Sequence, residues 1–571
     1  MTIRSTVLGL VCATAAFAQT QSKIAPDVDL SGNPQDVIVV YKTKPGSGHR
    51  GRAEGRGARF KKDLSVVRAL HYSATGAALR DLANDPEVES IHPNRVVRGL
   101  LDNTAAAVNA ASAWSAGYTG RGVGVAIIDS GVSVNYVNDT NRVVANVDFT
   151  NAWSSPAYAD EYGHGTHIAG IIGANVTPPT NGLVPLVTPS RAYKGIAPGV
   201  NIINLRVLDW SGSGTDSAVI SAIQWAIDNR VAYNIRVMNL SIGRPVTVSY
   251  KDDPLCQAVE QAWKAGIVVV TAAGNFGRNN FGGNQGYGTI TAPGNDPYVI
   301  TVGAMNSKGT PARGDDVMAS YSSKGPSLID HVVKPDLVAP GNQIVSTNTF
   351  YDSGFGLWDL YGSTNVPFSY TYPGSMGTDW MYVRLSGTSM ATPVVTGAVA
   401  LLLEQNPSLT PDQVKARLMK TAYKQFPNAT VAIDATTNAA YTTYYDGFTV
   451  GAGYVDIAAA LANHDVANGN ALSPTAVNNN GTITMVPAAG SVFSTNASSV
   501  IWGTQVIWGT SVIWGTQVIW GTSVIWGTNV TQGTQVIWGT GTPNQNALSV
   551  IWGTTNTTAI DSLAVLTQGD R

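Results

Sequence analysis

The segment Ser-Gly-Thr-Ser-Met-Ala-Thr-Pro, residues 386–393, leads directly into an apolar run that extends to Leu403. It predicts a glycine-containing turn followed by a long buried helix, with Ser389 in the first helical turn. The free N–H groups of such a turn can donate to a developing negative charge. This position therefore suits a serine nucleophile, although serine is also a favoured cap at helix starts and Ser389 alone would not decide the matter.

Two short apolar runs each deliver a polar residue of the kind that catalysis uses. The run at residues 122–128 is typical of a buried parallel strand and is followed by Asp129. The run at residues 266–273 is similar, and Asn275 follows it after Gly274. Because the carboxyl ends of parallel strands meet at one edge of a sheet, we expect both side chains at that edge. Each residue taken alone is also common in turns.

A pair of histidines begins a stretch of small residues, which predicts a helix over residues 168–174. His164 lies between two glycines, and His167 follows three residues later. Such a pair could indicate a metal, but a zinc site needs about three protein ligands. No His-Glu-x-x-His pattern and no cysteine pair accompanies the histidines. We therefore expect no metal at this site and no cofactor for catalysis.

Together these stretches resemble the motifs of the subtilisin-like serine proteases. The chain order of aspartate, then histidine, then serine is also that of subtilisin. The resemblance covers roughly Asn103 to Leu461 as a catalytic domain. The motifs that carry it are Ile127-Ile-Asp129-Ser-Gly-Val, His164-Gly-Thr-His-Ile-Ala-Gly, Ala272-Ala-Gly-Asn275 and Gly387-Thr-Ser-Met-Ala-Thr-Pro393.

The resemblance implies a role for each of the four polar residues. Ser389 would attack the scissile carbonyl, and His164 would accept its proton and pass it to the leaving amine. Asp129 would hold the tautomer of the imidazole and stabilise the imidazolium. Asn275 would stabilise the oxyanion together with the backbone N–H of Ser389. The intact set argues against an inactive protease fold that only binds.

The resemblance also implies substrate contacts. Trp210 to Gly214 and Asn239 to Gly243 are similar to the two segments that pair with an extended peptide. A third segment would wall the specificity pocket, and since it is uncharged we expect a broad or apolar side-chain preference. Thr291 would lie on the pocket floor and make it shallower. The expected substrate-binding residues are Ser211, Gly212, Ser213, Ser241, Ile242, Gly243, Ala272, Ala273 and Gly274.

We predict an α/β fold for residues 101–464, with a mostly parallel sheet and helices on both faces. For residues 19–100 the sequence predicts a small α+β unit, with strands at residues 37–41 and 88–91 and a helix at Ala77 to Ala83. The basic, glycine-rich stretch from Lys42 to Lys62 is interpreted as a solvated surface loop. This unit resembles the pro-segment of subtilases, which implies folding assistance, inhibition of the cleft, and a cut between Val97 and Asn103.

The first 18 residues have the pattern of a secretory signal peptide. Arg4 supplies the charge, residues 7–17 the apolar core, and Ala16-Phe-Ala18 the cleavage site. We therefore expect a secreted protein, and no later apolar run is long enough for a transmembrane helix. The net charge of −2, with 13% charged residues, gives no indication of nucleic-acid binding. Cys256, in a predicted helix, is interpreted as a small buried hydrophobe.

Two segments depart from short members of the family. One lies between Ala174 and Arg191, where relatives often bind structural calcium, and no calcium ligands can be assigned in it. Structural calcium therefore stays open. The other, residues 350–382, is rich in aromatic residues and precedes Ser389, so it could form a wall or a lid.

The end of the chain has a different composition. Residues 465–498 are interpreted as a linker with one strand at residues 482–486. Residues 499–571 contain a hexad repeat, Val-Ile-Trp-Gly-Thr followed by Gln or Ser. An even repeat length keeps each tryptophan on one face of a strand, whereas a turn in every hexad would form a small solenoid. Either form could self-associate or bind a surface. The remaining alternative is a removable or loosely structured tail.

The sequence thus predicts a secreted serine endopeptidase that matures itself from a zymogen. Its partners would be protein or peptide substrates and its own pro-segment as inhibitor. The alternative is a surface-binding or assembly protein that acts through the tryptophan-rich repeats, with proteolysis serving only maturation. Activity towards peptides in trans, after removal of the pro-segment, distinguishes the two.

Overall fold

We analysed a computed structural model of the 571-residue chain. The chain divides into two compact units, Met1–Val97 and Arg98–Arg571. The predicted signal peptide and the hexad repeats lie outside the described residues. The structure describes residues 23–25, 28–64, 68–93, 101–133, 142–150, 160–175, 193–279, 285–349, 351–352, 357–358, 365–367, 378–479, 482–492 and 565–570.

The first unit is a four-stranded antiparallel sheet with the strand order β2-β3-β1-β4 and two helices. Alternate residues of its central strand point into the core, where Val37, Val39 and Tyr41 are buried. This period of two is typical of a strand with one covered face. The elements are β1 (Gln35–Tyr41), α1 (Ser47–Gly55), β2 (Arg59–Leu64), β3 (Ala69–Ala74), α2 (Gly76–Ala83) and β4 (Val88–Pro93).

The basic stretch from Lys42 to Lys62 was predicted to be a surface loop, and the structure corrects this. It forms helix α1 and most of strand β2. Helix α1 contains three glycines and buries only Ala53, so its own sequence favours it weakly. Ion pairs with a residue distant in sequence stabilise this helix. Arg52 and Arg56 pair with the buried carboxylate of Asp85, at 3.2 and 2.6 Å. Tertiary contacts have overridden a low helix propensity.

The second unit is built on an eight-stranded mixed sheet. Strands β6, β7, β5, β8, β9 and β10 are parallel neighbours, β12 pairs parallel with β10, and β11 is antiparallel to β10. The first elements of this unit are α3 (Leu101–Ala107), α4 (Ala110–Ser115), β5 (Gly124–Asp129), β6 (Val143–Asp148), α5 (His164–Gly173), β7 (Asn201–Arg206), α6 (Asp216–Asp228), β8 (Ile235–Leu240), α7 (Pro254–Lys264), β9 (Val268–Ala272), β10 (Ile300–Asn306), β11 (Val317–Met318) and β12 (Leu337–Pro340).

The central strands of this sheet are covered on both sides. Every residue of β5, β9 and β10 is buried. Because successive side chains of a strand point to opposite faces, both faces must be covered. The predicted α/β architecture with a largely parallel sheet is confirmed, and the predicted strands agree with the observed ones within a few residues at each end.

The remaining elements complete the second unit. They are β13 (Ile344–Thr347), β14 (Tyr351–Asp352), β15 (Leu357–Trp358), β16 (Asn365–Pro367), β17 (Thr378–Leu385), α8 (Thr388–Gln405), α9 (Pro411–Thr421), β18 (Ala429–Ile433), β19 (Ala440–Tyr444), α10 (Ile457–Ala462), β20 (Thr475–Asn479) and β21 (Thr482–Val486). The predicted apolar helix after Ser389 is α8, which packs against α5 and the sheet. None of the described helices is both long and apolar enough to cross a membrane.

The stretch at residues 465–498 was predicted to be a linker, and its described part differs from that prediction. The predicted strand at residues 482–486 is confirmed as β21, but it pairs with a second strand, β20, in an antiparallel hairpin. Ala467, Ala471 and Val492 are buried in the main core of the second unit. The side chain of Ser473 donates to the buried carboxylate of Asp336, at 2.5 Å. The low charge and high Asn and Ala content suggested a linker, but the backbone of this stretch is paired and its apolar residues join the core.

Candidate active site

The contact between Asp129 and His164 is formed where a strand ends and a helix begins. Asp129 is the last residue of β5, and His164 is the first of α5. The helix comes this close to the strand end because residue 165 is glycine, since a Cβ there would lie 2.2 Å from the carbonyl oxygen of Gly131. Both side chains are buried, and Nδ1 of His164 lies 2.7 Å from Oδ1 of Asp129.

This contact determines the tautomer of the histidine. An ionised carboxylate only accepts hydrogen bonds, so Nδ1 of His164 carries the proton and donates it. In the neutral ring Nε2 is then an acceptor. Burial lowers the pKa of His164, but attraction and hydrogen bonding to Asp129 raise it by more, so the net shift is upward from 6.5. The ring can therefore take up a proton at Nε2 and hold it in the charged form.

A second buried carboxylate, Asp160, holds the start of α5. Its Oδ1 accepts from the N–H of Gly163 and from the hydroxyl of Ser130, at 2.7 and 2.8 Å. Its Oδ2 accepts from the N–H and the hydroxyl of Thr166, at 2.7 and 2.6 Å. Burial raises the pKa of Asp160 above its ordinary 3.8, although these four hydrogen bonds oppose the rise. Asp160 thereby fixes the helical turn that carries His164.

The sequence reasoning missed Asp160. The available signal was an acidic residue four positions before the glycine-flanked histidine, in the place of a carboxylate that accepts from the first N–H groups of a helix. The other histidine of the motif, His167, lies close to the backbone carbonyl of Ile344, with Nε2 3.1 Å from that oxygen. Burial lowers the pKa of His167 to about 3, so its ring is neutral near pH 7. Among the described residues no group of three or more His, Cys, Asp or Glu could hold a metal ion.

Ser389 is the second residue of α8 and is tied to the segment that follows β8. Its hydroxyl donates to the backbone carbonyl of Ser241 at 2.9 Å, and the hydroxyl of Ser241 donates back to the carbonyl of Ser389 at 2.9 Å. Asn239 donates to the hydroxyl of Ser241 at 3.0 Å. The hydroxyl of Ser389 is thus held by the segment after β8 through a reciprocal pair of hydrogen bonds.

The amide of Asn275 is held in one orientation. Its Oδ1 accepts from the N–H and the hydroxyl of Thr388, at 2.9 and 3.0 Å. The NH₂ group is therefore directed elsewhere and is available as a donor. Asn275 lies three residues beyond the end of β9, and Thr388 immediately precedes Ser389. The contact with Thr388 thus brings the amide of Asn275 close to Ser389 in the fold.

His164, Asn275 and Ser389 line one pocket of about 190 Å³. Of the predicted substrate-binding residues, Gly212, Ser241, Ile242, Gly243, Ala272 and Gly274 line it, while Ser211, Ser213 and Ala273 do not. Among the described lining residues, His164 is the only histidine, and none is Asp, Glu, Lys, Arg or Cys. The described lining residues are Tyr162, His164, Leu208, Gly212, Ser241, Ile242, Gly243, Ala272, Gly274, Asn275, Phe276, Thr291, Thr388, Ser389 and Leu566.

Thr291 fills the space beside the small residues of this pocket. A Cβ at Gly274 would lie 2.8 Å from Cγ2 of Thr291, and a Cβ at Gly243 would lie 2.5 Å from its Oγ1. The hydroxyl donates to the carbonyl of Ala273 at 3.3 Å. Ala273 itself is fully buried and pairs with Thr291 through the backbone, so it supports the pocket without lining it.

The segment from Trp210 to Gly214 was predicted to pair with an extended peptide, as the exposed strand of the family does, and the structure has a turn there instead. Oδ1 of Asp209 accepts from the N–H groups of Ser211 and Ser213, at 2.9 and 3.1 Å, and from the hydroxyl of Ser211. A carboxylate that bonds its own backbone in this way favours a turn over a strand. Only Gly212 of the three predicted residues reaches the pocket.

Five of the described lining residues were not predicted to belong to the site. Thr388 lies in the motif around Ser389, whereas Tyr162, Leu208, Phe276 and Leu566 are large side chains from separate segments of the chain. Tyr162 lies beside the histidine, with 6.3 Å between the ring centroids. The aromatic segment at residues 350–382 was considered as a lid, and none of its described residues lines the pocket. Cys256 is buried in α7, and burial raises the pKa of its thiol well above the ordinary value.

Comparisons with known proteins agree with this geometry. Residues 120–453, more than half of the chain, match the model of the subtilase family. Serine protease AprX of Bacillus subtilis (strain 168) is 35% identical over 373 residues, which cover 63% of this chain and 75% of AprX. Subtilisin E of the same strain is 33% identical over 370 residues, covering 64% and 78%. Subtilisin DY of Bacillus licheniformis is 35% identical over 306 residues, covering 54% and 85%. The chain therefore belongs to the subtilase family and is a subtilisin-like serine endopeptidase.

Proposed function

We propose that this endopeptidase uses Ser389 as nucleophile, His164 as general base and then acid, and Asp129 as the group that orients the imidazole. The observation that carries the proposal is the 2.7 Å contact between Nδ1 of His164 and Oδ1 of Asp129, which makes Nε2 an acceptor. His164 and Ser389 line the same pocket, so this acceptor and the hydroxyl can meet there.

In the proposed reaction, Oγ of Ser389 attacks the scissile carbonyl and transfers its proton to Nε2 of His164. The oxyanion accepts hydrogen bonds from the NH₂ of Asn275 and from the backbone N–H of Ser389. The imidazolium then protonates the leaving amine, which leaves an acyl group on Oγ. Water, deprotonated by the same imidazole, releases the carboxylic acid and restores Ser389. No cofactor takes part in these steps, and calcium, if it binds, would have a structural role.

The pocket supports a broad or apolar side-chain preference. No aspartate, glutamate, lysine or arginine lines the pocket in the part of the chain that the structure describes, so no fixed charge there selects a charged substrate. Thr291, between Gly243 and Gly274, shortens the pocket and disfavours the largest side chains. Ser241, Ile242 and Gly243 would pair with an extended peptide backbone, which gives affinity without strong sequence selection.

We further propose that the protein is made with a signal peptide, secreted, and matured by its own activity. The separation of the chain at Val97 into two compact units supports this, because the proposed cut lies between Val97 and Asn103. Residues 19–100 would assist folding and inhibit the cleft until they are removed.

The test compares the secreted wild-type chain with Ser389→Ala by intact mass and N-terminal sequencing. We expect the wild type to lose about its first hundred residues and the variant to lose only the signal peptide. Activity on peptides should fall about a million-fold, as it does when the nucleophilic serine of subtilisin is removed. Ser221→Ala, in the exposed part of α6, is the matched control and should mature normally.

Two outcomes would contradict the proposal. If Ser389→Ala matures as the wild type does, another protease makes the cut. If the matured wild type cleaves no peptide in trans, proteolysis serves maturation alone and the surface-binding alternative takes precedence.

A further inference from the structure

Residues 565–570, here called the anchor segment, follow the hexad repeats and pack onto the second unit. Residues 565–568 form a single helical turn. The segment was predicted to belong to a tail, and nothing in the proposed catalytic mechanism uses it. Its contacts nevertheless reach residues that precede it by well over a hundred positions, which a loosely structured tail would not form.

The strongest of these contacts surround Asp570. Its carboxylate accepts from Arg278 at 2.8 Å, from the hydroxyl of Ser320 at 2.7 Å and from the N–H of Ser320 at 2.7 Å. Its backbone N–H donates to Oδ1 of Asn342 at 2.8 Å, and its carbonyl accepts from Nδ2 of Asn342 at 2.9 Å. Arg278 also pairs with Asp434, at 3.0 Å.

This set of contacts is a built socket for one carboxylate. Asp570 is buried, and burying a charge is unfavourable unless it is paired and hydrogen-bonded. The side-chain carboxylate, the backbone N–H and the backbone carbonyl of Asp570 all form hydrogen bonds. Geometry of this kind specifies one position for the anchor segment rather than a loose contact.

The other end of the anchor segment is held by apolar and backbone contacts. Val565 is buried in the main core of the second unit. The carbonyl of Leu566 accepts from the N–H of Ser386 at 2.7 Å, three residues before Ser389. Gln343 donates to the carbonyl of Gln568. The segment is therefore fixed to the loop that leads into α8.

The consequence is that Leu566 lines the same pocket as His164, Asn275 and Ser389. A substrate or product would lie in the cleft as an extended chain that pairs with neighbouring backbone. The anchor segment is helical at this point, so it does not present an extended peptide to Ser389. Its contribution to the pocket is an apolar wall.

We propose that Leu566 is a specificity-determining residue, held at the substrate pocket by the socket around Asp570. The inference rests on the proposed function, because it takes the pocket around Ser389 as the substrate site. A peptide side chain bound against this wall contacts the isobutyl group of Leu566, which limits its size.

The experiment measures kcat/KM for pairs of peptides that differ by alanine or phenylalanine at one position on either side of the scissile bond. In Leu566→Ala we expect the phenylalanine-to-alanine ratio to rise about tenfold at one of these positions, since a few methylene groups in a pocket discriminate by about that factor. Leu566→Phe should lower the same ratio. Gln568→Ala is the matched control, because its side chain is exposed on the same turn, and should keep the wild-type ratios.

A second variant tests the socket. Asp570→Asn removes the charge that pairs with Arg278, and we expect it to change the ratio in the same direction as Leu566→Ala. The proposal is overturned if Leu566→Ala and Leu566→Phe both keep the ratios of Gln568→Ala, if Leu566→Ala raises activity equally for all peptides, or if the intact mass of the active enzyme excludes residues 565–570. Each of these leaves the wild-type enzyme active, whereas failure of the proposed function would leave it without activity in trans.

Discussion

Helices α5 and α8 both begin at the pocket, and their first turns are treated differently. At the start of α5, the N–H groups of Gly163 and Thr166 bind the carboxylate of Asp160, and that of Gly165 binds the hydroxyl of Ser130. At the start of α8, the N–H of Thr388 binds Asn275. No acceptor for the N–H of Ser389 is found among the described residues.

The difference corresponds to two tasks. At the start of α5, three N–H groups already have acceptors within the protein, which suits a helix start that positions His164. The first turn of α8 keeps a donor unused beside the NH₂ of Asn275, which suits a site where negative charge develops. A helix start can thus serve as a support or as an oxyanion site, depending on whether an internal acceptor is provided.

The largest change in activity is expected from a substitution at the start of α8. Asn275→Ala should lower kcat by about 100- to 1000-fold with little change in KM, because the lost hydrogen bond forms only in the transition state. The measurement is steady-state kinetics on a peptide substrate.

Asn275→Ala also removes the acceptor for Thr388, so a second variant separates the two effects. Asn275→Asp keeps an oxygen for Thr388 but replaces the donor by a carboxylate that repels the oxyanion. We expect it to be at least as impaired as Asn275→Ala. Near-normal activity of Asn275→Asp would mean that the NH₂ group is not a donor to the oxyanion.

A smaller effect is expected at the α5 end. Asp160→Asn keeps one acceptor oxygen but replaces the other by an NH₂ group. That NH₂ group would face N–H and hydroxyl groups that now donate to Asp160. We expect the free energy of unfolding to fall by about 2 kcal/mol and kcat/KM to fall by roughly tenfold, since misplacing the base weakens positioning. Denaturant unfolding and kinetics measure the two.

Thr410→Ala provides a matched control for Asp160→Asn. Thr410 caps α9 by accepting from the N–H of Gln413, and it does not line the pocket. Its loss should lower stability by about 1 kcal/mol without changing kcat/KM. Wild-type kcat/KM in Asp160→Asn would show that Asp160 supports the fold without positioning His164.

The smallest effect concerns pH. As the proposed general base, His164 must be neutral to accept a proton. Because its pKa is raised above 6.5, kcat/KM should fall as pH decreases through a midpoint above 6.5. The charge of Asp160 contributes to that rise. Asp160→Asn should therefore move the midpoint to lower pH in a pH profile of kcat/KM. An unchanged midpoint would argue that the two groups are not coupled, and Thr410→Ala should leave it where it is in the wild type.

The residues proposed for catalysis could be found from the sequence because each lies in a short motif beside a strand end or helix start. Asp129, His164, Asn275 and Ser389 are of this kind. Asp160 and Leu566 could not be found in this way. Asp160 is identified by the N–H groups that it accepts from, and Leu566 by a pocket formed from segments that are far apart in the chain.

The same distinction explains the corrected elements. Helix α1 has three glycines and little apolar surface, and its ion pairs with Asp85 come from another part of the first unit. The stretch after α10 has the composition of a linker, yet Ala467, Ala471 and Val492 are buried in the core. Local propensity and composition give no information about the distant contacts that stabilise helix α1 and the stretch after α10.

The α/β class, the motifs and the chain order of the residues proposed for catalysis follow from local sequence, because buried strands and helix starts have local patterns of apolar periodicity and capping. How the pocket is completed depends on contacts between segments that are far apart in the chain. The acceptors for the first turn of α5, the orientation of the Asn275 amide and the wall formed by Leu566 depend on groups that the fold brings together from distant positions. Hydrogen bonding and close packing act between groups that are close in space, and these partners cannot be identified from the residues that are adjacent in sequence.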